Sequence, residues 1–203
     1  MKKALCLILC ALLLLLSACQ RTQLPPAFDT QPPTTPPTTP PTNPPVLNAD
    51  NPCLQQLQAL WDAFPENQKF ACAGGDWENF VDGAPGSTKI DPEILSGMLL
   101  VPESQVGQVT CAASLLHALN ANTFTCGVFQ VEEDFAAQFA QGMKNAIQGS
   151  QWVCGFPDML LIANLGNGIV LSAFGKNTLI NALKDIISQQ PNGELLYCEG
   201  ISP

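Results

Sequence analysis

The sequence has few of the residues on which catalytic and metal sites depend. One histidine, His117, occurs among 203 residues, and charged residues make up 12% of the chain. No two cysteines have the C-x-x-C spacing, which argues against a structural zinc site and against a thioredoxin-like redox motif. The sequence therefore predicts no catalytic residues, no metal site and no cofactor.

Positive charge is also scarce. Eight basic residues stand against 17 acidic ones. Lys2 and Lys3 belong to a leader that is described below, and without them six basic and 17 acidic residues give a net charge of −11. Such a surface repels the phosphates of nucleic acids and the headgroups of anionic lipids. The composition therefore predicts no nucleic-acid partner.

The chain begins with the pattern of an export signal. Lys2 and Lys3 precede an apolar segment at residues 4–16, which is shorter than the roughly 20 residues of a membrane-spanning helix. The segment ends in the sequence LSAC at residues 16–19. This ending resembles the lipobox of bacterial lipoproteins, a Leu-[Ala/Ser]-[Gly/Ala]-Cys pattern.

The lipoprotein resemblance covers only the first 19 residues. It implies that residues 1–18 are removed, that a diacylglyceryl group is attached to the Cys19 thiol, and that a fatty acid such as palmitate acylates the new amino terminus. One acyl chain binds a membrane reversibly, whereas two or three hold it stably. Gln20 after the cysteine resembles the default for outer-membrane sorting. The resemblance thus implies a lipid-anchored protein of the bacterial cell envelope, with the outer membrane as its partner.

Residues 19–48 are predicted to be a disordered tether behind the lipidated cysteine. Ten of the 18 prolines lie in residues 20–48, many in a PPTT repeat that ends at Pro45. The segment has almost no apolar surface to bury, so it cannot offset the entropy of ordering. In the polyproline II conformation, residues 32–45 would reach roughly 40 Å.

Residues 49–203 are predicted to form one disulfide-rich globular domain. An even number of cysteines behind an export signal favours a disulfide framework. Six cysteines allow fifteen connectivities. A preference for short loops predicts the sequential pairs, which are Cys53–Cys72, Cys111–Cys126 and Cys154–Cys198.

Hydrophobic periodicity predicts an α+β fold, with about five helices packed on a small, largely antiparallel sheet. Asn167-Gly168, between two apolar segments, predicts a hairpin with a type I′ turn, and its strands should be covered on both sides. The predicted helices lie near 52–64, 91–101, 103–120, 135–147 and 177–187, and the predicted strands near 123–131, 159–165, 169–174 and 195–198.

The segment 76–83 is the best local candidate for a binding site. Asp76, Trp77, Glu78 and Asp82 place three carboxylates and an aromatic ring within eight residues, a composition that suits a cation or a sugar. The segment does not match the EF-hand loop, because Phe80 occupies a ligand position. The alternative is a capped turn whose aromatic side chains pack on the core.

Ser114 and His117 raise a weaker alternative. On the predicted helix at 103–120 the two side chains would lie one turn apart, an arrangement that suggests the nucleophile and base of a hydrolase. No G-x-S-x-G nucleophile elbow is present, and a serine within a regular helix is poorly placed for attack. A partly exposed histidine without a catalytic role is the simpler interpretation.

Three functions remain open from the sequence. The first is a binding or interaction protein, whose partner would be an envelope protein, the cell wall or a glycan. The second is a carboxylate hydrolase acting on a glycan or cell-wall substrate, with Asp76, Glu78 and Asp82 as acids and Trp77 as a sugar platform. The third is a carrier of a small apolar ligand, which the apolar segments at 98–101 and 159–162 favour.

Overall fold

The computed structural model of the protein describes residues 50–202. The predicted signal peptide, the lipidated Cys19 and the proline-rich tether lie outside the described residues. Within 50–202, no helix is both long and apolar enough to cross a membrane.

The described residues form an eight-stranded sheet in which every pairing is antiparallel. The strand order is β2-β1-β4-β5-β7-β6-β8, and the short β3 pairs with β4 next to β1. The strands are β1 Cys72–Gly74, β2 Val81–Asp82, β3 Gly86–Ser87, β4 Cys111–His117, β5 Phe124–Gln130, β6 Met159–Asn164, β7 Ile169–Gly175 and β8 Glu194–Gly200.

Helices cover both faces of this sheet and make a three-layered α+β domain. The helices are α1 Pro52–Asp62, α2 Pro92–Leu99, α3 Glu103–Val106, α4 Ala136–Gln148 and α5 Asn177–Ile187. Helices α1 and α5 cover one side of the sheet, here called the α1/α5 face, and α2 and α4 cover the other, here called the α2/α4 face. The predicted α+β class with five helices is confirmed for residues 50–202.

The α1/α5 face is closed by apolar side chains at helical spacing. Leu57 and Trp61 of α1 are buried together with Leu183 of α5. Trp61 also joins an aromatic cluster whose ring centroids lie 5.1–6.2 Å apart, formed with Phe64, Phe70 and Phe124. Each fully buried large side chain contributes about 1.5–3 kcal/mol.

The α2/α4 face has its own core. Phe139 and Met143 of α4 are fully buried, and the Phe139 ring packs edge-on against Phe129 of β5 at 5.4 Å. Phe129 in turn lies over Gly127, where a Cβ atom would be 2.5 Å from its ring. Because successive residues of a strand point to opposite faces, each buried strand supplies both cores.

Short-range hydrogen bonds determine where two helices begin, and the predicted Asn-Gly turn is confirmed. The Asn51 side chain accepts a hydrogen bond from the Leu54 N–H at 2.8 Å and caps α1, while Asp91 caps α2 in the same way. Asn167 and Gly168 have positive φ values of 52° and 72°, as a type I′ turn requires. The hairpin of β6 and β7 lies inside the sheet, with both faces covered, as predicted.

The helix predicted at 103–120 is wrong. The structure has the short α3, Glu103–Val106, followed by the central strand β4, Cys111–His117. A strand that is buried on both faces has no polar alternation, so a short apolar segment cannot be distinguished from a buried helix by periodicity. The sheet is also larger than predicted, because β1, β2 and β3 lie in a segment predicted as loop.

The predicted disulfide framework is wrong, since all six described cysteines are free thiols. The sheet register explains why Cys111 and Cys126 do not pair. Cys126 is opposite Leu115, four residues along β4 from Cys111, which is roughly 13 Å. The Cα atoms of a disulfide lie within about 7 Å of each other.

The other two predicted pairs are not formed either. Cys53 lies beside Cys111 at the start of β4. Cys72 is opposite His117 at the far end of the same strand, six residues or roughly 20 Å away. Cys154 is exposed in the loop before β6, whereas Cys198 packs on the α1/α5 core from the edge strand β8.

Candidate functional site

The Asp76 carboxylate organises the loop that follows β1. Its Oδ1 atom accepts hydrogen bonds from the backbone N–H groups of Glu78 and Asn79, each at 2.9 Å. Its Oδ2 atom accepts one from the Lys89 N–H at 2.7 Å, thirteen residues away in sequence. Asp76 is 2% exposed. Its oxygens are therefore occupied by the loop itself rather than turned toward a ligand.

The pKa of Asp76 agrees with this structural role. Burial acts to raise the pKa, but the N–H donors of Lys89, Glu78 and Asn79 outweigh it and hold the pKa below its ordinary value. The carboxylate is therefore ionised at neutral pH. A general acid for glycoside hydrolysis needs the opposite shift.

Close backbone packing fixes the same loop against the sheet. A Cβ atom on Gly74 would lie 2.2 Å from the Gly86 nitrogen, and one on Gly75 would lie 2.0 Å from the Asn79 oxygen. Gly75 also has a φ of +79°, which favours glycine. The Ser114 hydroxyl donates to the Gly75 carbonyl oxygen at 2.6 Å. Close packing at Gly74 and Gly75 thus fixes the start of the loop, and the hydrogen bonds to Asp76 fix the rest of it.

This fixed loop presents two aromatic side chains to solvent. Trp77 is 59% exposed and Phe80 is 66% exposed. Exposed aromatic rings on a rigid support are typical of binding surfaces, because little conformational entropy is lost when a partner covers them. The prediction that the loop's aromatic residues pack on the core is wrong for Trp77 and Phe80.

Beside these rings lies a cavity of about 350 Å³. Its walls come from the loop after β1, from Met98 of α2 and from the end of β4 with the turn that follows. The lining is mostly apolar and includes Leu116 and Leu119, the latter 87% exposed. Ligand pockets in proteins have volumes of about 300–1,000 Å³.

A second cavity of about 330 Å³ shares Met98, Leu116 and Ala121 with the first. Its far wall includes Trp152 and Val153, the latter 74% exposed. The two cavities therefore form one surface, here called the apolar groove, bordered by Trp77, Phe80, Met98, Leu116, Leu119 and Val153.

Two asparagine side chains hold the Val153 side of the groove in place. Asn120 donates through Nδ2 to the Cys154 carbonyl oxygen at 2.7 Å. Asn122 donates to the carbonyl oxygens of Val153 and Gly155 at 2.8 and 2.9 Å. These bonds tie the loop before β6 to the turn between β4 and β5. The groove is thus assembled from four segments that are distant in sequence.

The remaining predicted site residues do not gather into a site. Glu78 forms an ion pair with Lys89 at 3.0 Å, with both side chains about half exposed. Asp82 is exposed on β2, opposite Ala73. Within residues 50–202, no group of three or more His, Cys, Asp or Glu side chains could hold a metal ion.

The pairing of Ser114 with His117 is also wrong. On strand β4, residues three apart point to opposite faces. Ser114 is buried against the loop after β1, whereas the His117 ring stacks on Phe70 at 5.2 Å.

Sequence reasoning found Trp77 and missed the rest of the groove. The helix predicted at 103–120 would place Leu116 and Leu119 on its buried side, whereas they lie at the end of β4 and in the turn that follows it. Val153 lies between Trp152 and Cys154 in a loop, where no periodic pattern indicates its role.

Unpaired positive charge is scarce in the described part of the chain. Of the five described lysines, four form ion pairs, which are Lys69–Glu66, Lys89–Glu78, Lys144–Glu199 and Lys176–Asp158. Among residues 50–202, no lysine lines either cavity. Four of the five described lysines are therefore already paired with acids, while the chain after residue 18 has a net charge of −11.

Comparison with known proteins adds no relative: no family model, no curated protein and no solved structure matches the chain.

Proposed function

We propose that this protein is a lipid-anchored envelope lipoprotein whose domain binds another envelope protein through the apolar groove. One observation carries the proposal. Of the five large apolar side chains that are exposed in residues 50–202, four border the groove, namely Trp77, Phe80, Leu119 and Val153. Contiguous exposed apolar surface on a soluble domain marks an interaction site.

The shape of the groove favours a protein segment as its occupant. A carrier of a small apolar ligand encloses most of the ligand surface. Here Leu119 and Val153 remain mainly exposed at the border, so a small ligand would be only partly covered. Apolar side chains on a partner's surface would cover these residues and also fill the two cavities.

Charge favours a partner with a basic surface. The chain after residue 18 has a net charge of −11, and most described lysines are already paired with acids. Opposite charges on a partner would speed association and orient it, while the apolar groove would supply affinity. The occupant is therefore a segment with exposed apolar side chains flanked by lysine or arginine.

The predicted anchor and tether fit this role. A lipid-anchored domain on a tether of roughly 40 Å is confined near the membrane, which raises its effective concentration toward other envelope proteins. A groove of modest affinity then suffices for binding.

The test is a binding titration with three series of short peptides and the full chain. The first series has apolar residues flanked by lysine and arginine, the second has the same apolar residues flanked by glutamate, and the third keeps the basic flanks but replaces the apolar residues by serine. We expect binding from the first series only. Trp77→Ala should weaken it roughly thirtyfold, since loss of a central tryptophan costs about 2 kcal/mol.

Ile90→Ala is the matched control, because Ile90 is 42% exposed and borders neither cavity. The Ile90→Ala variant should bind the first peptide series with the affinity of the wild type. Equal binding of the serine series, or unchanged binding by Trp77→Ala, would contradict the proposal. Trp77-dependent binding of neutral oligosaccharides in place of peptides would identify a glycan as the occupant.

The hydrolase alternative loses support from the position of its acids. Asp76 is committed to the loop backbone, and Glu78 is paired with Lys89. Asp82 then has no second carboxylate of the predicted set to act with, whereas glycoside hydrolysis uses two.

A further inference from the structure

Two of the described cysteines meet where the folded domain begins. Cys53 is the second residue of α1 and is fully buried, while Cys111 is the first residue of β4 and is partly exposed. Their thiols interact directly with each other. They are separated by 57 residues of chain, so the fold and not the sequence brings them together.

Asn51 holds these thiols in place. Its Oδ1 atom accepts hydrogen bonds from the Leu54 N–H at 2.8 Å and from the Cys111 thiol at 2.9 Å. Its Nδ2 group donates to Ser87 Oγ at 3.0 Å and to the Ala112 carbonyl oxygen at 3.3 Å. One side chain therefore caps α1 and fixes that cap to β3 and β4.

The two thiols differ in reactivity. A hydrogen bond from the Cys53 thiol, opposed by burial and supported by the Cys53 backbone N–H, lowers the pKa of Cys111 to about 7. The same side-chain interaction, together with burial, raises the pKa of Cys53. Cys111 is partly exposed whereas Cys53 is fully buried, so a disulfide from solvent reaches Cys111 first and Cys53 lies behind it as a resolving thiol.

We propose that Cys53 and Cys111 form a disulfide by exchange with a small-molecule or protein disulfide. The Cys111 thiolate attacks one sulfur of the donor, the donor S–S bond breaks, and one donor thiol leaves with a proton. The Cys53 sulfur then loses its proton and attacks the Cys111 sulfur, which releases the second donor thiol. The protein thiols lose two electrons and two protons, and the donor is reduced to two thiols.

The bond would join the start of α1 to the central strand β4. It would close a long loop and so stabilise the domain where the chain enters it. Two other described cysteines on the same face are too far apart to pair. Cys126 and Cys198 lie in one row of the sheet, with β7 and β6 between them, roughly 14 Å apart. This inference is independent of the apolar groove.

The test uses the full chain, reduced and then incubated folded with oxidised glutathione. After acid quenching and alkylation, mass spectrometry of non-reduced digests should show the Cys53 peptide linked to the Cys111 peptide, with the mass of two hydrogens lost. The melting temperature should rise by roughly 5–15 °C and return to its starting value on reduction.

Single variants separate the two roles. In Cys53→Ser, one glutathione should remain on Cys111, whereas in Cys111→Ser the buried Cys53 should stay unmodified and the melting temperature should not rise with oxidant. Cys154→Ser is the matched control, and it should form the link as the wild type does. If a variant does not fold, the presence or absence of the Cys53–Cys111 disulfide in the oxidised wild type decides the test. Recovery of both Cys53 and Cys111 as free thiols, or their linkage to other cysteines, would overturn the proposal.

Discussion

The two faces of the sheet differ although the same strands supply both. The α1/α5 face is closed by its helices and aromatic cluster, and five of the six described cysteines belong to it or pack against it. The α2/α4 face has no cysteine in its core and ends in the apolar groove. Both faces contain a buried core that stabilises the domain, but only the α2/α4 face also ends in an exposed apolar surface.

The side chains of the central strands account for part of this difference. A row of small residues, Ser114, Gly127 and Ser172, crosses β4, β5 and β7 on the α2/α4 face. On the opposite face the corresponding strands carry larger residues such as Leu115, Val128 and Leu171. The eight-residue α2, about 12 Å long, leaves Leu116 half covered at the end of β4. A short helix thus leaves room for the groove.

Alanine variants of two tryptophans test this comparison with the largest expected effect. Trp61→Ala on the α1/α5 face should destabilise the domain by about 3–5 kcal/mol, because its ring is buried in the aromatic cluster. Trp77→Ala at the groove should change the free energy of unfolding by no more than about 0.5 kcal/mol. Urea denaturation followed by circular dichroism measures both. Similar losses from the two variants would contradict a core role for Trp61 and a surface role for Trp77.

A variant of Asp76 tests whether peptide binding at the groove depends on a fixed loop. Asp76→Ala leaves the N–H groups of Glu78, Asn79 and Lys89 without their acceptor and should cost about 1–3 kcal/mol. Peptide binding should weaken as well, since Trp77 loses its support. Urea denaturation and the peptide titration measure the two effects. Glu78→Ala, which removes only a half-exposed ion pair, serves as control and should be nearly neutral.

Low pH should remove the contribution of Asp76 to the free energy of unfolding. Its pKa in the folded protein is lowered from the ordinary value of 3.8, so the stabilisation is present above that value and is lost as pH falls through the folded pKa. Wild type and Asp76→Asn should therefore differ more in stability at neutral pH than at about pH 2. Urea denaturation at the two pH values is the measurement. A constant difference would show that the charge of Asp76 has no part in holding the loop.

The smallest effect concerns the outer side of α2. Gly97 lies within this helix at the second cavity, and a Cβ atom there would meet nothing within 4 Å. Gly97→Ala should stabilise the domain by about 0.5–1 kcal/mol, because alanine loses less backbone entropy in a helix. Thermal unfolding measures this gain. A loss of stability would mean that something already covers α2 at this position.

Helix caps and the hairpin were predictable because their signals are local. Asn51 and Asp91 act on amides two or three residues away, and Asn167-Gly168 determines its own turn. Strand β4 was not predictable in this way, because its residues are apolar on both faces and its partners lie far off in sequence. The disulfide pairs were predicted from a preference for short loops alone, and the register of β4 against β5 shows why this preference failed for Cys111 and Cys126.

The candidate site shows the same limit. Asp76 and Trp77 were recognisable from composition, but their roles depend on contacts that sequence spacing does not reveal. The acceptor role of Asp76 becomes visible only when Lys89, thirteen residues on, lies beside it. The groove needs Met98, Leu116 and Val153 from three further segments, and only the fold brings these together.

The most direct test of the groove is photocrosslinking of the full chain in cell envelopes. A photoreactive phenylalanine analogue replaces Phe80 in one variant and Ile90 in the other. We predict a discrete protein adduct from position 80, absent from position 90 and suppressed by the peptide with apolar residues and basic flanks. The same adducts from both positions, or an adduct at position 80 that the peptide does not suppress, would contradict a binding function for the apolar groove.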